Sequence, residues 1–518
     1  MSWEPEIEEL RRRHELAAGL GGADNVARHH ARGRLTVRER IDLLADKGSF
    51  REFGALVGAA TYDDGDLVAF VPKSTVNGGC TIDGRKVILS GNDFTVRGGS
   101  GGAVGWELGQ EAGPAERAGE WRLPFIRLLD SAGGSVRSFE EIGRTYLPDG
   151  NSLVARDVAL LNEVPVVAAV LGSVAGGPAV AACIAHFNVM VDGTSQLFAG
   201  GPPVVKAAFG LDIDKQDLGG ARVHAHESGV VDNLAATEED ALRQIRRFLS
   251  YLPSNVWEVP PRVVVGDPVD RRDEELVSII PRNQRQPYRM HELIDHVVDE
   301  DSFFEIGALY GRSRITGLAR VDGYPVGVLG NDPMHGAGST DVTSGDKVMR
   351  LMQLCDTFHL PLVSFTDEPG FMVGLESERR GIERAGARLV WTTVRSRMPW
   401  ITFVVRRLFG VGGQCHHRPS GMFRRYAWPS ATWGSMPIQG GVSAAYRRDI
   451  EAAEDPAAQQ AEIERRLEEL TSPFRTAEAT GQDIIDPRDT RPLLAEFVQD
   501  AQPILAAQVG APVTPYRP

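Results

Sequence analysis

Two glycine-rich turns have the residue types that thioester enolate chemistry requires. The first contains Gly176 and Gly177, the second contains Gly410, Val411 and Gly412, and each follows an apolar run. An enolate oxygen is stabilised when two backbone N–H groups point at it. Glycine allows the close approach and unusual backbone angles that this needs, and a following helix N-terminus adds a favourable dipole. Either turn alone is more simply explained as a tight strand-to-helix connection, but two at equivalent places favour a functional site.

The places are equivalent because the sequence contains an internal repeat. The segment that begins at Ile41 recurs from Ile294, an offset of 253 residues. Three further matches follow in the same order: 76–93 with 315–332, 123–130 with 360–367, and 164–177 with 398–411. Any one match between apolar strands could arise by chance, but four collinear matches indicate a duplication.

Each repeat predicts the same order of elements. A helix is followed by two strands joined by an Asp-Gly turn, a glycine-rich loop, a helix, and then two apolar strands that each end in a turn and are separated by a helix. Such alternation predicts a layered α/β domain. Because residues 252–285 are rich in proline and charge, we predict an N-terminal domain over 1–260 and a C-terminal domain over 261–518. The charged segments 1–36 and 451–474 predict a leader helix and a surface helix.

Composition excludes several classes of function. The chain has 518 residues, a formal net charge of −14 and four cysteines, none in a C-x-x-C pair. The net negative charge and the lack of a basic stripe argue against a nucleic-acid partner, and the cysteine spacing argues against a zinc ribbon or a redox motif. No apolar run is long enough for a membrane span, and the charged N-terminus does not resemble a signal peptide. We therefore expect a cytoplasmic protein without a metal site.

A family resemblance rests on several segments taken together, from about residue 27 to the C-terminus. They are ARGRLTVRER (31–40), NDFTVRGGS (92–100), GGPPVVK (200–206), DLGGA (217–221), ESGV (227–230), FMVG (371–374) and YAWP (426–429). The chain resembles the carboxyltransferase (β) subunits of biotin-dependent acyl-CoA carboxylases, which act on propionyl-CoA, methylcrotonyl-CoA or geranyl-CoA. GGPPVVK and FMVG are similar to the methylcrotonyl and geranyl branch and YAWP to the propionyl branch, so the acyl group stays open.

The resemblance implies two crotonase-like (ClpP/crotonase) domains, the N-terminal one for acyl-CoA and the C-terminal one for biotin. Carboxybiotin, carried on a separate protein, would deliver carbon dioxide to a thioester enolate without a side-chain base. Gly176 and Gly177 would hold the enolate oxygen, and Gly410, Val411 and Gly412 the ureido oxygen of biotin.

The resemblance also implies which further turns shape the site. The acyl-CoA side would be formed by two turns: Gly98, Gly99 and Ser100, with Ala132, Gly133 and Gly134. The biotin side would be formed by Pro369, Gly370 and Phe371. The chain has no Met-Lys-Met biotinylation segment and no ATP-binding motif. A biotin carboxylase and a biotin carboxyl carrier would therefore be partner proteins, and the family implies a homohexamer.

The chain departs from the family pattern at several places. Arg97 stands before the Gly-Gly-Ser turn, where the family usually has an aromatic or small residue; it could bind a carboxylate or a CoA phosphate, or form a surface ion pair. The segment from Gln414 to Arg418 is unlike either branch. It contains Cys415, His416 and His417, but adjacent residues rarely converge on one ion, so we do not expect a metal site.

Three alternatives remain open. An acyl-CoA decarboxylase would use the same oxyanion holes in the reverse direction. A serine hydrolase would use Ser100 in the G-x-S-x-G pattern of residues 98–102, a weak match in a chain with 57 glycines. A non-catalytic scaffold subunit would explain the altered segment 412–425.

Overall fold

The computed structural model describes residues 2–100, 113–145 and 152–518. The chain forms two compact units that divide between Val256 and Trp257. In the ranges just given, no helix is both long and apolar enough to cross a membrane.

The first unit is built around one sheet with helices beside it. Its strands are β1 (Arg51–Phe53), β2 (Gly58–Asp63), β3 (Asp66–Pro72), β4 (Thr75–Ile82), β5 (Arg85–Asn92), β6 (Phe125–Leu129), β7 (Val166–Val170), β8 (Ser173–Ala175), β9 (Phe187–Val191), β10 (Gln196–Phe198) and β11 (Asn233–Ala235). Its helices are α1 (Glu4–Ala18), α2 (Ala23–His30), α3 (Val37–Leu44), α4 (Pro114–Trp121), α5 (Arg137–Ile142), α6 (Ser152–Leu160), α7 (Gly177–Cys183), α8 (Pro202–Phe209), α9 (Lys215–Gly219), α10 (Ala221–Val223) and α11 (Glu238–Tyr251).

The main sheet of this unit has seven strands in the order β1-β4-β5-β6-β7-β9-β11. The pairs β1–β4 and β4–β5 are antiparallel, and every pair from β5 onward is parallel. Strands β6, β7 and β9 are buried along their whole length, as expected for parallel strands covered on both faces. β8 and β10 form a separate parallel pair, and β2 and β3 form an exposed hairpin.

The second unit repeats this plan. Its strands are β12 (Phe304–Glu305), β13 (Arg314–Val321), β14 (Tyr324–Asn331), β15 (Leu362–Glu368), β16 (Trp400–Phe409), β17 (Phe423–Ala427), β18 (Thr432–Gly434) and β19 (Asp483–Ile484). Its helices are α12 (Met290–Val297), α13 (Val342–Thr357), α14 (Leu375–Arg379), α15 (Ile382–Arg395), α16 (Gly410–Gln414), α17 (Ile438–Ala445), α18 (Arg447–Glu451), α19 (Pro456–Glu468), α20 (Pro473–Thr480) and α21 (Thr490–Gln508).

The sheet of the second unit runs β12-β13-β14-β15-β16-β17-β19, and β18 also pairs with β16. Strands β12 to β14 are antiparallel and the remaining pairs are parallel. The core lies between this sheet and its helices, and includes the buried side chains of Ile294, Val328, Phe365 and Trp428. In each unit, therefore, the sheet begins with antiparallel strands and continues with parallel strands, whose carboxyl ends lie at one edge of the sheet.

The two Asp-Gly turns show how closely the units correspond. Asp83 and Gly84 have φ of 50° and 78°, and Asp322 and Gly323 have φ of 51° and 74°. Two consecutive left-handed residues are typical of a tight hairpin turn. In the first unit Asp46 accepts hydrogen bonds from both turn N–H groups, at 3.0 and 2.9 Å. In the second, Asp299 accepts hydrogen bonds from the two corresponding N–H groups at 3.1 and 2.8 Å. The repeat therefore includes the carboxylate that caps each turn.

The two charged segments, 1–36 and 451–474, were each predicted as one helix, and the structure differs from this in detail. Residues 1–36 form α1 and α2, which are separated at Gly22, where φ is 88°. Residues 451–474 contain α19, which begins after Asp455, whose side chain caps the helix through the Ala458 N–H. Both segments are mainly exposed.

Candidate active site

In the first unit, three predicted turns lie together, and two of them are at the carboxyl ends of the neighbouring strands β5 and β6. The turn before Ser100 follows β5, the turn after Asp130 follows β6, and Gly176 follows β8. The N–H of Ala132 donates to the Gly98 carbonyl at 2.9 Å, which joins the first two turns. The structure thus brings together the residues predicted for the acyl-CoA side.

The third turn is joined to the second by similar contacts. The Ser131 hydroxyl donates to the Gly99 carbonyl at 2.8 Å, and the Ser131 carbonyl accepts from the Ala175 N–H at 3.0 Å. Gly133, with φ of 80°, packs so closely that a Cβ on it would lie 2.5 Å from the Ala175 carbonyl oxygen. These turns pack backbone on backbone, which side chains would prevent.

The glycines at the start of α7 face open space. Gly176 has φ 66° and ψ −131°, a conformation in which other residues are strained. A Cβ on Gly176 or Gly177 would have no heavy atom within 4 Å. The Gly176 N–H donates to the Phe198 carbonyl at 3.2 Å, whereas Gly177 opens α7 and its N–H has no acceptor within the helix. Gly176 therefore forms the turn, and Gly177 presents an N–H at its tip.

A buried ionic cluster around Asp130 supports these turns. The Asp130 carboxylate is completely buried and lies 3.2 Å from the guanidinium of Arg40 and 3.5 Å from that of Arg34. Arg40 also binds Glu238 at 2.6 Å, and the ring of His29 lies 3.7 Å from Asp130. Burial lowers the pKa of His29 and outweighs the effect of Asp130. Both arginines thus fix the start of the turn that contains Ala132 and Gly133.

The second unit places its strand-end turns in the same pattern. Gly336–Gly338 follow β14, Pro369 and Gly370 follow β15, and Gly410 follows β16. The Thr340 N–H donates to the Gly370 carbonyl at 3.2 Å. Asp367, the repeat partner of Asp130, is also completely buried and forms an ion pair with Arg407.

Gly410 and its neighbours begin a short helix beside a cavity. Gly410 has φ 61°, and Val411 is 47% exposed. A Cβ on Gly412 would lie 3.1 Å from the Glu368 carboxyl group and 3.2 Å from the Gly370 carbonyl carbon. The adjoining cavity has a volume of about 1010 Å³, and its lining includes Gly410 and Val411. Its other lining residues include Val394, Leu408, Gln414, His417, Arg425 and Trp433.

Phe371 holds the second turn against helix α15. Its ring lies over Gly386, where a Cβ would come within 2.7 Å of the ring. Pro369, Gly370 and Phe371 are partly exposed. Of the biotin-side residues predicted from the sequence, Gly410 and Val411 line the cavity, and Gly412 lies against Gly370.

Arg97 and Ser100 differ in backbone strain. Arg97 is exposed and has φ 51°, a left-handed conformation that its repeat partner Gly336 adopts as glycine. Ser100 has φ −73° and ψ 116°. A nucleophile elbow strains the serine itself, so the backbone of Ser100 does not favour a hydrolase; Gly101 and Gly102 of that pattern lie outside the described residues.

The two adjacent histidines have separate surroundings. His416 is buried and binds Arg314 and Ser364. His417 is exposed and packs edge-on against Phe423, with ring centroids 4.4 Å apart. They do not converge on a common point. His416 and Arg314 both lie beside a buried acid, Glu368, which the sequence did not reveal. The residues around Glu368 come from four separate segments of the chain, so no local pattern indicates the cluster.

The chain is similar to known proteins along almost its whole length. Residues 28–501 match the carboxyl transferase domain family. The chain belongs to this family. It is 37% identical to the carboxyltransferase subunit of propionyl-CoA carboxylase from Haloferax mediterranei, over 95% of each chain. It is 33% identical to methylmalonyl-CoA decarboxylase subunit alpha from Veillonella parvula, over 91% of each chain.

A solved carboxyltransferase has the same fold. The crystal structure of transcarboxylase 12S, described as a hexamer with methylmalonyl-CoA and methylmalonic acid bound, superimposes with a TM-score of 0.85 at 31% identity, over 96% of this chain and 95% of that one. The α/β fold with two crotonase-like domains is therefore confirmed, and so are the family and the carboxyltransferase activity of the acyl-CoA carboxylase type.

Proposed function

We propose that this carboxyltransferase moves a carboxyl group from carboxybiotin, held on a separate carrier protein, to an acyl-CoA. The first unit holds the acyl-CoA and the second holds biotin. The observation that carries the proposal is the matched pair Gly176 and Gly410, both left-handed glycines between a strand and a helix start. Two such turns suit a reaction in which two different carbonyl oxygens need N–H donors.

In the first unit, the thioester carbonyl oxygen would lie in the open space before α7. Gly177 would donate its N–H to that oxygen, assisted by the positive end of the helix. Ala132, Gly133 and Gly134 line the facing turn, and a Cβ on Gly134 would meet no heavy atom within 4 Å. As the acyl α-carbon loses its proton, negative charge would collect on the oxygen and strengthen these hydrogen bonds, which lowers the barrier.

The second unit fits the ureido ring of biotin. A cavity of about 1010 Å³ is large enough for a bicyclic ring, and the glycine turn at Gly410 leaves its backbone accessible. The N–H groups of Val411 and Gly412 would bind the ureido oxygen, and Phe371 would bound the ring. Carboxybiotin would supply the carboxyl group: its bond between the ureido nitrogen and the carboxyl carbon would break to release carbon dioxide, and the freed nitrogen would accept the proton from the acyl-CoA.

Partner proteins complete the reaction. A biotin carboxylase would carboxylate the carrier, and the carrier would bring biotin to the second unit. Transcarboxylase 12S is described as a hexamer, and we propose that this chain is a homohexamer as well.

The relatives favour a small acyl group. Three of them, from Haloferax mediterranei, Saccharopolyspora erythraea and mouse, are propionyl-CoA carboxylase subunits at 37%, 34% and 34% identity. We therefore propose an acyl-CoA of about the size of propionyl-CoA as the substrate class.

The test is a mass-spectrometric assay of the purified chain. It is supplied with a panel of acyl-CoAs, ATP, bicarbonate, a biotinylated carrier and its biotin carboxylase. We expect one acyl-CoA to gain a carboxyl group only when the carrier is present. The absence of a carboxylated product from every acyl-CoA would overturn the proposal.

Decarboxylation is the second candidate, because two relatives at 33% and 32% identity are methylmalonyl-CoA decarboxylase alpha subunits. The same turns stabilise the same enolate in that direction. If the chain releases the carboxyl group of methylmalonyl-CoA and forms no carboxylated product in the forward assay, this function replaces the first.

A further inference from the structure

The second unit contains a buried acid that no sequence argument assigned. Glu368 is the last residue of β15, directly before Pro369 and Gly370, and its side chain has no exposed surface. A lone buried carboxylate is very unfavourable unless charges and hydrogen bonds compensate it. Its position beside the proposed biotin turn makes its partners informative.

Three donors hold one side of the carboxylate. The Oε2 atom accepts from the guanidinium of Arg314, from the Thr340 hydroxyl at 2.7 Å and from the Asn331 amide at 3.2 Å. Arg314 and Thr340 are each only 1% exposed. Burial works against the charged form, but Arg314, together with the Thr340 hydroxyl, keeps the pKa of Glu368 below its ordinary value. Glu368 is therefore a fixed carboxylate.

His416 holds Arg314 from the other side. Arg314 can only donate, so Nε2 of His416, 2.9 Å away, is the acceptor. Nδ1 then carries the proton and donates to the Ser364 hydroxyl at 2.8 Å. His416 is 1% exposed, so the network is rigidly placed by buried side chains from β13, β15 and the segment after α16.

The other carboxylate oxygen contacts the turn itself. Oε1 of Glu368 accepts a hydrogen bond from the Gly370 N–H at 2.9 Å. The same carboxyl group lies against Gly412, where a Cβ would come within 3.1 Å of it. Glu368 thus touches both the turn that follows β15 and the helix start that follows β16.

The first unit has a weaker version of the same contact. Ser131 is the repeat partner of Glu368, and its hydroxyl accepts from the Gly133 N–H at 3.3 Å. The Ser131 bond is long and neutral, whereas the Glu368 bond is short and charge-assisted, which makes it roughly twice as strong. The N–H group of Gly370 is therefore held more firmly than its counterpart in the first unit, the N–H group of Gly133.

We propose that Glu368 is a positioning residue of the biotin side, which fixes Gly370 and Gly412 relative to each other so that the N–H groups of Val411 and Gly412 meet the ureido oxygen. Arg314, Thr340, Asn331 and His416 hold it in place. The inference rests on the proposed function, because it assigns biotin to this turn. Glu368 itself stays buried and does not touch the substrate.

The test compares three variants. In the wild type, the two carboxylate oxygens of Glu368 accept from different donors. Glu368→Gln leaves a single acceptor oxygen, so the Gly370 N–H must compete with Arg314 for it. The double variant Arg314→Met, Glu368→Val replaces the charged pair with apolar groups, which protects stability but leaves Gly370 without its acceptor. Asp299→Asn is the matched control, since Asp299 is 2% exposed in the same unit and accepts from Arg491 at 2.8 Å and from two turn N–H groups.

Three quantities are measured for each variant: the urea midpoint, binding of free biotin by saturation-transfer NMR, and kcat and KM for carrier and acyl-CoA. We expect both Glu368 variants to bind biotin more weakly and to lose about 10- to 100-fold in kcat/KM for the carrier, as small misplacements in a site do. The KM for acyl-CoA should stay unchanged. Asp299→Asn should lower the urea midpoint and leave all biotin measurements as in the wild type.

The outcomes separate the two proposals. Wild-type biotin binding and carrier kinetics in the double variant would overturn the role of Glu368, as would equal kinetic losses in Glu368→Gln and Asp299→Asn. Wild-type protein that binds biotin but carboxylates no acyl-CoA would overturn the proposed function instead, and the biotin-binding comparison would still decide the role of Glu368.

Discussion

Gly176 and Gly410 both have a positive φ, 66° and 61°, at the same point of the two units. Each connects a strand of the central region to a helix, α7 or α16. Their surroundings differ. A Cβ on Gly176 would meet no heavy atom within 4 Å, whereas a Cβ on Gly410 would lie 3.5 Å from the Ser435 carbonyl oxygen, and Gly412, two residues further on, lies against the Glu368 carboxyl group. A duplicated turn has thus acquired two environments, which is what two different oxygen-bearing substrates would require.

The first prediction concerns Gly176. Gly176→Ala places a side chain in a region that only glycine adopts easily, so we expect a loss of about 1–3 kcal/mol in stability. Because α7 would shift with the turn, carboxyl transfer should fall by about 100-fold or more. Stability is measured by urea unfolding and transfer by the mass-spectrometric assay.

Gly193→Ala is the control for this prediction. Gly193 also has a left-handed φ, 73°, and open space at its Cβ, but it lies in the turn after β9. It should lose stability without losing kcat. Equal losses of activity in both variants would show that Gly176 matters only for folding.

The sequence predicted the fold well because the fold depends on local patterns. Apolar runs gave the strands, and the Asp-Gly pairs gave the hairpin turns at Asp83 and Asp322. The repeat offset gave the equivalence of Gly176 and Gly410. Residues 1–36 were less well predicted, because Gly22 breaks the charged helix into two.

The support of the site could not be predicted in the same way. Glu368 follows Asp367 in the sequence, and nothing local shows that both acids are buried. Its partner Arg314 lies 54 residues away and His416 binds that arginine across 102 residues. Such contacts depend on the register of β13, β14 and β15, which hydrophobic periodicity alone does not fix.

A second prediction tests the biotin side without changing a charge. In Gly412→Ala, the new methyl group would lie 3.1 Å from the Glu368 carboxyl group, so α16 or the turn at Gly370 must move. We expect the KM for the biotinylated carrier to rise several-fold while the KM for acyl-CoA stays constant, measured by steady-state kinetics.

Gly440→Ala provides the comparison. Gly440 lies in α17 with no heavy atom near its Cβ, and alanine there should raise stability by up to about 1 kcal/mol. An increase in the KM for acyl-CoA in Gly412→Ala would contradict the assignment of this turn to biotin.

A third prediction concerns Arg97. Its left-handed backbone is costly for a residue with a side chain, and its repeat partner is Gly336. If the guanidinium binds a phosphate of CoA, Arg97→Gly should raise the KM for acyl-CoA about tenfold, because hydrogen bonds to charged groups contribute about 1.5–3 kcal/mol. If the phosphate bound is the 3′-phosphate, the KM for a dephospho-CoA thioester should be equal in wild type and variant.

Arg122→Gly is a close control for Arg97→Gly. Arg122 is also exposed and left-handed, with φ 53°, at the end of α4. It should show no change in KM. An unchanged KM in Arg97→Gly as well would assign Arg97 to the surface.

The last prediction is a pH dependence of stability. Burial, followed by the charge of Arg314, lowers the pKa of His416 to about 4, against about 6.5 for an ordinary histidine. Since the folded pKa is below the unfolded one, the unfolded chain binds one more proton between these pH values. The free energy of unfolding should therefore fall as pH falls through this window, by roughly 3 kcal/mol in total from His416.

Glu368 adds to this effect only at lower pH. Its pKa is also below the ordinary value, so its stabilising contribution is present above about pH 4.5 and is lost below it. Urea midpoints between about pH 5 and pH 7 thus report mainly on histidine. His416→Gln should flatten the pH slope in this range, and His226→Gln, at an exposed histidine, should keep the wild-type slope. A His416→Gln variant with an undiminished slope would mean that the buried imidazole is not the group that titrates.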